Sequence, residues 1–299
     1  MTLLRSSLSW SARKSYKHSW NLIFILDKSI TRLPISVIQI CNFIGALFDK
    51  SYSPSTITSH VSAISYIHKI LGIFDPTSAF VVKKLLKGCN NLRQSHDTRL
   101  PITKQILEKI IDGIDKCIDN NFTKTLLKAV FLLAFNAFLR LGEILVRSPK
   151  EAGSVIQKQD VTFTYCNRRP QSLTLVIRHY KNIKNNQPVT ITIEANHNNS
   201  QLCPVTAVHS HLQNHSRVDS PLFQNIGGTP VTHSYVTGQL TFILKFLGID
   251  PKFYKGHSFR IGAATHATTL GFSEPYIRQL GRWNSNAVQR YIRISSFNL

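Results

Sequence analysis

Apolar and polar positions along the chain follow one rhythm, break, and return to it. From Pro54 to Gly72 apolar residues fall at Ile57, Val61, Ile64, Ile67 and Leu71. That three-and-four spacing puts one face of a helix against a core. Ser53 suits its N-cap, Pro54 its first turn and Gly72 its end. The same rhythm predicts an earlier helix over about 34–49 and a later one over about 78–88, ending near Gly88, so residues 1–95 read as all-helical. The polar, basic run NNLRQSHDTRLP (90–101) then breaks the pattern and ends in a proline, as a linker does. Helical spacing returns over 102–147, in ITKQILEKIIDGI and TKTLLKAVFLLAFNAFLRLGEIL. VTFTYC (161–166), LTLVIRH (173–179) and VTITIE (189–194) are short and β-branched with polar breaks between them. They predict one small antiparallel sheet of three strands. From about residue 204 the pattern is helical again, and the chain shows no internal repeat. The expectation is a mainly α protein: a helical domain over 1–95 and a second, α+β domain over 96–299.

Composition adds a partner to this picture. The 299 residues carry 36 Lys plus Arg against 15 Asp plus Glu, a net charge of +21 spread over the whole chain. Such an excess calls for a polyanion, and DNA or RNA comes before a membrane surface. Hydrophobic residues make up 42%, enough for a sizeable core, which argues against a disordered chain. Cys41, Cys89, Cys117, Cys166 and Cys203 are odd in number and form no CxxC pair. They argue against a zinc site and a disulfide framework, and fit a reducing intracellular compartment. The run NLIFIL (21–26) is too short and too far in for a signal peptide. AVFLLAFNAFL (129–139) is too short to span a bilayer and reads as a buried helix.

Four pieces carry candidate chemistry. In GHSFRIGAATHATTLG (256–271), His257 and Arg260 are three apart and share a helix face. In FNAFLRLGEIL (135–145), Arg140 follows a strongly apolar helix and needs a partner, since burying an unpaired charge is costly; Glu143 or a phosphate would serve. HYKNIKNNQPVTI (179–191) joins the second and third strands and carries Lys181 and Lys184. RWNSNAVQRYIRI (282–294) carries Arg282, Trp283 and Tyr291. Each alone is more simply a solvated face or a packed side chain.

Together, and in this order, the segments AFLRLGEI, the strand–KNNQ–strand hairpin, GHSFRIGAATHA and LGRWNSNAVQRYI resemble the tyrosine recombinase (phage integrase-type) family. The GRW form, the HSFR box and the TRLPIT leader (98–103) look most like eukaryotic mobile-element recombinases of the Crypton or DIRS kind. The resemblance implies a helical, SAM-like core-binding domain ahead of the family's catalytic domain with its small three-stranded sheet. It implies Tyr291 as nucleophile, with Arg140, Lys184, His257, Arg260 and Trp283 as catalytic partners. In the family a His or Trp usually lies nine residues before the tyrosine. Arg282 holds that place here and Trp283 lies eight before; the indole donor favours Trp283. For the lysine, Lys184-Asn185-Asn186-Gln187 fits the family's Lys-Thr-Asp-Gln-like run better than Lys181 does.

The implied reaction is transesterification at a DNA phosphodiester through a 3′-phosphotyrosyl link, with no metal, ATP or other cofactor. A phenol has a pKa of about 10 and needs help as a nucleophile. Arginine forks suit the phosphate oxygens, His257 a hydrogen bond or the tyrosine proton, and Lys184 the leaving oxygen. The rival two-metal transposases need clustered carboxylates, and no acidic run here has that form. Arg13, Lys14, Lys17, Lys83, Lys84 and Lys87 in the helical domain, with Lys181, Arg282, Arg168, Arg169 and Arg178, are candidate DNA contacts. The resemblance further implies duplex DNA as partner, a homotetramer on synapsed DNA, no membrane, and nuclear residence if the source is eukaryotic.

Overall fold

Ser53 accepts the Thr56 amide on its Oγ at 3.2 Å and so starts the helix that the apolar spacing predicts. That helix lies in the first of two units, Met1–Asp97 and Thr98–Leu299, into which the chain divides. The computed structural model describes residues 7–93, 97–180, 187–213, 220–284 and 286–292.

The first unit holds α1 (Trp10–Leu26), α2 (Val37–Asp49), α3 (Pro54–Ile70) and α4 (Phe80–Leu92). Ile23, Ile40, Phe43, Ile44, Leu47, Ile57, Val61, Ile64 and Val82 close its core. Two boundaries differ from the sequence expectation. α2 starts at Val37 because Ser36 and Gln39 form a capping box. α4 does not stop near Gly88 but runs through it to Leu92, because Val82 and Cys89 lie on one buried face that tertiary packing holds.

The second unit opens with α5 (Lys104–Cys117) and α6 (Asn121–Asn136). From Ala129 to Phe135 every residue of α6 is buried, as befits a helix that is apolar all round. A one-turn helix, α7 (Leu141–Ile144), follows. The sheet has the order β1-β2-β3, antiparallel throughout: β1 (Val161–Cys166), β2 (Arg169–Ile177), β3 (Val189–Glu194). Leu173, Leu175 and Ile177 of the central strand are fully buried. β2 begins four residues before its expected start at 173, because Asn167 and Arg168 take φ of 49° and 63°. Two positive φ values in a two-residue loop match the twist of the flanking strands, so pairing continues up to the turn. Among the described residues four α-helices follow: α8 (Pro204–Leu212), α9 (His233–Phe246), α10 (Gly256–Thr269) and α11 (Glu274–Leu280). A 3₁₀ turn, Asn286–Arg290, leads to Tyr291. No helix among the described residues is long and apolar enough to cross a membrane.

Three connections position the site. The Ile102 amide donates to the Ser258 carbonyl at 3.0 Å and straps the leader of α5 along α10. Phe138 takes a φ of +51°, which ends α6 and turns the chain towards Arg140. Val146 and Thr232 form a parallel bridge, which sets the end of the α7 segment beside the start of α9.

Candidate active site

Arg140 stands at the N-terminus of α7 and is tied to Glu143 twice. Its backbone N–H donates to Glu143 Oε2 and its Nη1 to Oε1, both at 2.9 Å. Arg282 Nη2 also donates to Glu143 Oε2 at 2.9 Å. The Glu143 and Arg282 side chains are each only 4% exposed. One buried carboxylate therefore holds two guanidiniums, and the like charges are tolerable because it lies between them.

The carbonyl of Phe138 is the second hub. It accepts Arg260 Nη1 at 2.5 Å and Arg282 Nη2 at 3.2 Å. Arg282 has a φ of +55°, so two non-glycine residues in left-handed backbone meet at this contact. Each such backbone costs on the order of 1–3 kcal/mol and persists only where its surroundings over-determine it. Arg260 is wholly buried and also donates Nη2 to the Gly281 carbonyl. Its Nε and that of Arg282 have no hydrogen-bond partner among the described residues. Burial, then Arg140 and Arg282, lower the Arg260 pKa to about 9 against the opposing pull of Glu143 and Tyr291, which leaves it charged at neutral pH.

Trp283 covers this guanidinium. The Arg260 carbon lies 4.2 Å from the Trp283 ring and 5.7 Å from the Tyr291 ring. The Trp283 and Tyr291 rings are 4.8 Å apart, and Phe138 meets Trp283 edge-on at 6.4 Å. Glycine at 281 makes room for the indole, because a Cβ there would lie 1.7 Å from Trp283 Cζ3 and displace it.

Above this layer opens a cleft of about 670 Å³ lined by Arg140, Glu143, His257 and Tyr291 among others. His257, in the first turn of α10, has its ring 6.4 Å from that of Tyr291. The Tyr291 carbonyl accepts Thr265 Oγ1 at 3.3 Å, which fixes the end of the 3₁₀ turn to α10. Among the sequence candidates, the structure thus brings Arg140, His257 and Tyr291 to one cleft. It puts Arg260 and Trp283 directly beneath them. Neither Arg282 nor Trp283 lines the cleft. Arg282 is a buried brace on Glu143 rather than an exposed contact for DNA, and the Trp283 Nε1 has no partner among the described residues. Lys181 and Lys184 lie outside the described residues. Arg13, Lys14, Lys17, Lys83, Lys84 and Lys87 are exposed on α1 and α4 of the other unit. Arg168 and Arg169 are exposed at the β1–β2 turn, whereas Arg178 Nε pairs with the buried Asp160 at 2.7 Å.

Five polar or charged lining residues are not among the sequence candidates: Arg147, His179, Tyr180, His233 and Lys255. Lys255 stands two residues before His257, and that adjacency was its one sequence signal. Burial, then Arg147, holds His233 below the usual histidine range. Among the described residues no three His, Cys, Asp or Glu side chains converge as a metal site would require. Chemically, the cleft offers a phenol, a guanidinium and an imidazole around a space fit for an anion.

No protein-family model matches this chain, and no curated protein matches it. Solved structures do. The XerH site-specific recombinase, in a post-cleavage complex with a palindromic difH substrate, has a TM-score of 0.67 at 16% identity, over 93% of this chain and 75% of that one. The Tn1549 transposon integrase, in complex with circular intermediate DNA, has a TM-score of 0.63 at 14% identity, over 98% of this chain and 92% of that one. The lambda integrase dimer bound to a COC′ core site has a TM-score of 0.63 at 15% identity, over 98% of this chain and 74% of that one. At these identities the likeness is one of fold: a mostly helical chain with one three-stranded antiparallel sheet, the tyrosine recombinase catalytic fold.

Proposed function

We propose that this chain is a site-specific DNA recombinase or integrase that cuts and rejoins DNA through Tyr291. The observation that carries the reading is the meeting of Tyr291, Arg140 and His257 on one cleft, with Arg260 and Trp283 packed beneath it. The Tyr291 oxygen attacks phosphorus as the bond to the 5′ oxygen of the next nucleotide breaks. His257 takes the phenolic proton, and Lys184 on the β2–β3 connection protonates the leaving oxygen. The 3′-phosphotyrosyl link retains the bond energy, and a second 5′-hydroxyl attacks it to restore a phosphodiester and the phenol. Arg140 stabilises the charge that gathers on the non-bridging oxygens.

The first unit, with its exposed Arg13, Lys14, Lys83, Lys84 and Lys87, is proposed as a core-binding domain on duplex DNA, and a homotetramer as the species that exchanges strands. The HSFR and GRW forms support a place among Crypton- or DIRS-type elements, and with it the nucleus.

One observation favours a second reading, a DNA-binding descendant without catalytic activity. Arg260 is fully buried, and its Nη1 and Nη2 donate to the Phe138 and Gly281 carbonyls rather than to a phosphate. A nicked suicide substrate built from DNA flanking the gene separates the two. The wild type is expected to give a covalent protein–DNA adduct that survives denaturing electrophoresis. Tyr291→Phe is expected to bind the same DNA and give none. Tight binding by the wild type with no adduct would establish the second reading, and an adduct from the variant would remove Tyr291 as nucleophile.

A further inference from the structure

The cleft holds more basic side chains than one phosphate needs. Arg140, Arg147, His179, His233, Lys255 and His257 line it against the single carboxylate of Glu143. That carboxylate is already held by Arg140 and Arg282. Attack on one phosphodiester engages Arg140, His257 and Tyr291 and leaves Arg147, His233 and Lys255 without a part.

Main-chain geometry gathers these three. The His233 N–H donates to the Val146 carbonyl at 2.8 Å within the parallel bridge, which sets Arg147 beside the first turn of α9. The start of α10 is pressed against both neighbours at Gly256. A Cβ there would lie 3.2 Å from His233 Nε2 and 2.8 Å from Leu141 Cδ1. This close approach at Gly256 sets Lys255 on the wall of the cleft, beside the His233 ring and the turn that carries Arg140. Arg147 and Lys255 are exposed, and neither is in an ion pair among the described residues.

We infer that Arg147, His233 and Lys255 form a second phosphate subsite, which takes the phosphodiester next to the attacked one on the same strand. This rests on the reading of the cleft as a phosphodiester site. Strand phosphates recur about every 3.4 Å of duplex rise, so a strand with one phosphate at Arg140 brings its neighbour within reach of the same walls. Two point charges and an imidazole hold a phosphate without reading a base, so the subsite sets the register of the strand and not its sequence. Held at two successive phosphates, the strand cannot pivot about the one that reacts.

Two small probes test this without any bond being cut. Thymidine 3′,5′-bisphosphate carries two phosphates on one nucleoside, and the 3′- and 5′-monophosphates carry one each. The full chain is expected to bind the bisphosphate about tenfold more tightly than either monophosphate, as one added charge-assisted contact allows. An Arg147→Ala/Lys255→Ala double variant is expected to lose that preference and to keep its monophosphate affinity. A control of equal charge loss, Lys109→Ala/Lys116→Ala on exposed positions of α5, is expected to keep the preference. A wild type that binds all three nucleotides alike, or a double variant that still prefers the bisphosphate, overturns the subsite. The nucleotide preference survives in a protein that never forms an adduct, so its loss and the failure of the strand-transferase reading are told apart.

Discussion

Glu143 shows what one residue carries in this site. It is 4% exposed and receives Arg140 and Arg282 at 2.9 Å each. Removing one partner from a buried ion pair leaves a charge that neither water nor protein compensates. Arg282→Ala is therefore expected to destabilise the second unit by about 3–5 kcal/mol, read from urea unfolding. Arg282→Lys keeps the charge but lacks the planar fork that reaches both Glu143 and the Phe138 carbonyl, and is expected to recover only part of the loss. A loss below about 1 kcal/mol for the alanine variant, the range of a surface pair, would show that Arg282 is not a brace. The sequence could show the Arg140–Glu143 pair, because three residues on a helix turn bring them together. It could not show the Arg282–Glu143 pair, whose members are 139 residues apart and meet only through the fold. For the same reason the choice between Arg282 and Trp283, framed by counting back from Tyr291, had no answer in spacing. Both turn inward, one to a carboxylate and one to a guanidinium face.

At the scale of elements, the segment from α11 to Tyr291 is a turn with a ring packed over it. α11 ends at Leu280, Gly281 keeps a right-handed backbone, Arg282 reverses the chain, and Trp283 folds back over Gly281 onto Tyr291. A methyl at 281 would occupy the place of the indole. Gly281→Ala is expected to cost about 1–3 kcal/mol by overpacking. It is also expected to lower the rate of adduct formation by about 10²-fold, the scale of a 1 Å displacement of a reacting group. The two effects separate by measurement below the melting transition. An unchanged adduct rate in a folded variant would mean that the indole does not position Tyr291. Elements whose pattern is local were legible in sequence. α3 follows from its apolar spacing and caps, and α6 from an apolar run too short for a membrane. What escaped was set by pairing or packing: the early start of β2 behind two left-handed turn residues, and the passage of α4 through Gly88 on the strength of its buried face.

Over the whole molecule the charge of +21 and three buried or half-buried histidines act together when the pH falls. His60 in the first unit and His233 and His266 in the second all have pKa values below the ordinary histidine range. Burial is the main cause in each case, seconded by His18, Arg147 and Lys104 respectively. Around His60 the packed groups are Ser19, bonded to Nδ1 at 2.8 Å, and the rings of His18, Phe43 and Tyr52, and no carboxylate among the described residues pairs with it. A folded value below the unfolded value of about 6.5 means that the unfolded chain binds more protons in between. Stability is then complete above about pH 6.5 and is lost as the pH falls through that value towards the folded ones. Each proton gained also raises a net charge that already opposes compaction. Urea midpoints are therefore expected to fall from pH 7.5 to pH 5. Trp20, against the core of the first unit, and Trp283, in that of the second, report the two separately in variants that replace Trp10 and keep one of them. His60→Gln is expected to flatten the pH dependence seen by Trp20 and to leave that seen by Trp283. A midpoint that rises on acidification, or a His60 variant that flattens both signals alike, would contradict the assignment of the loss to buried neutral histidines in each unit.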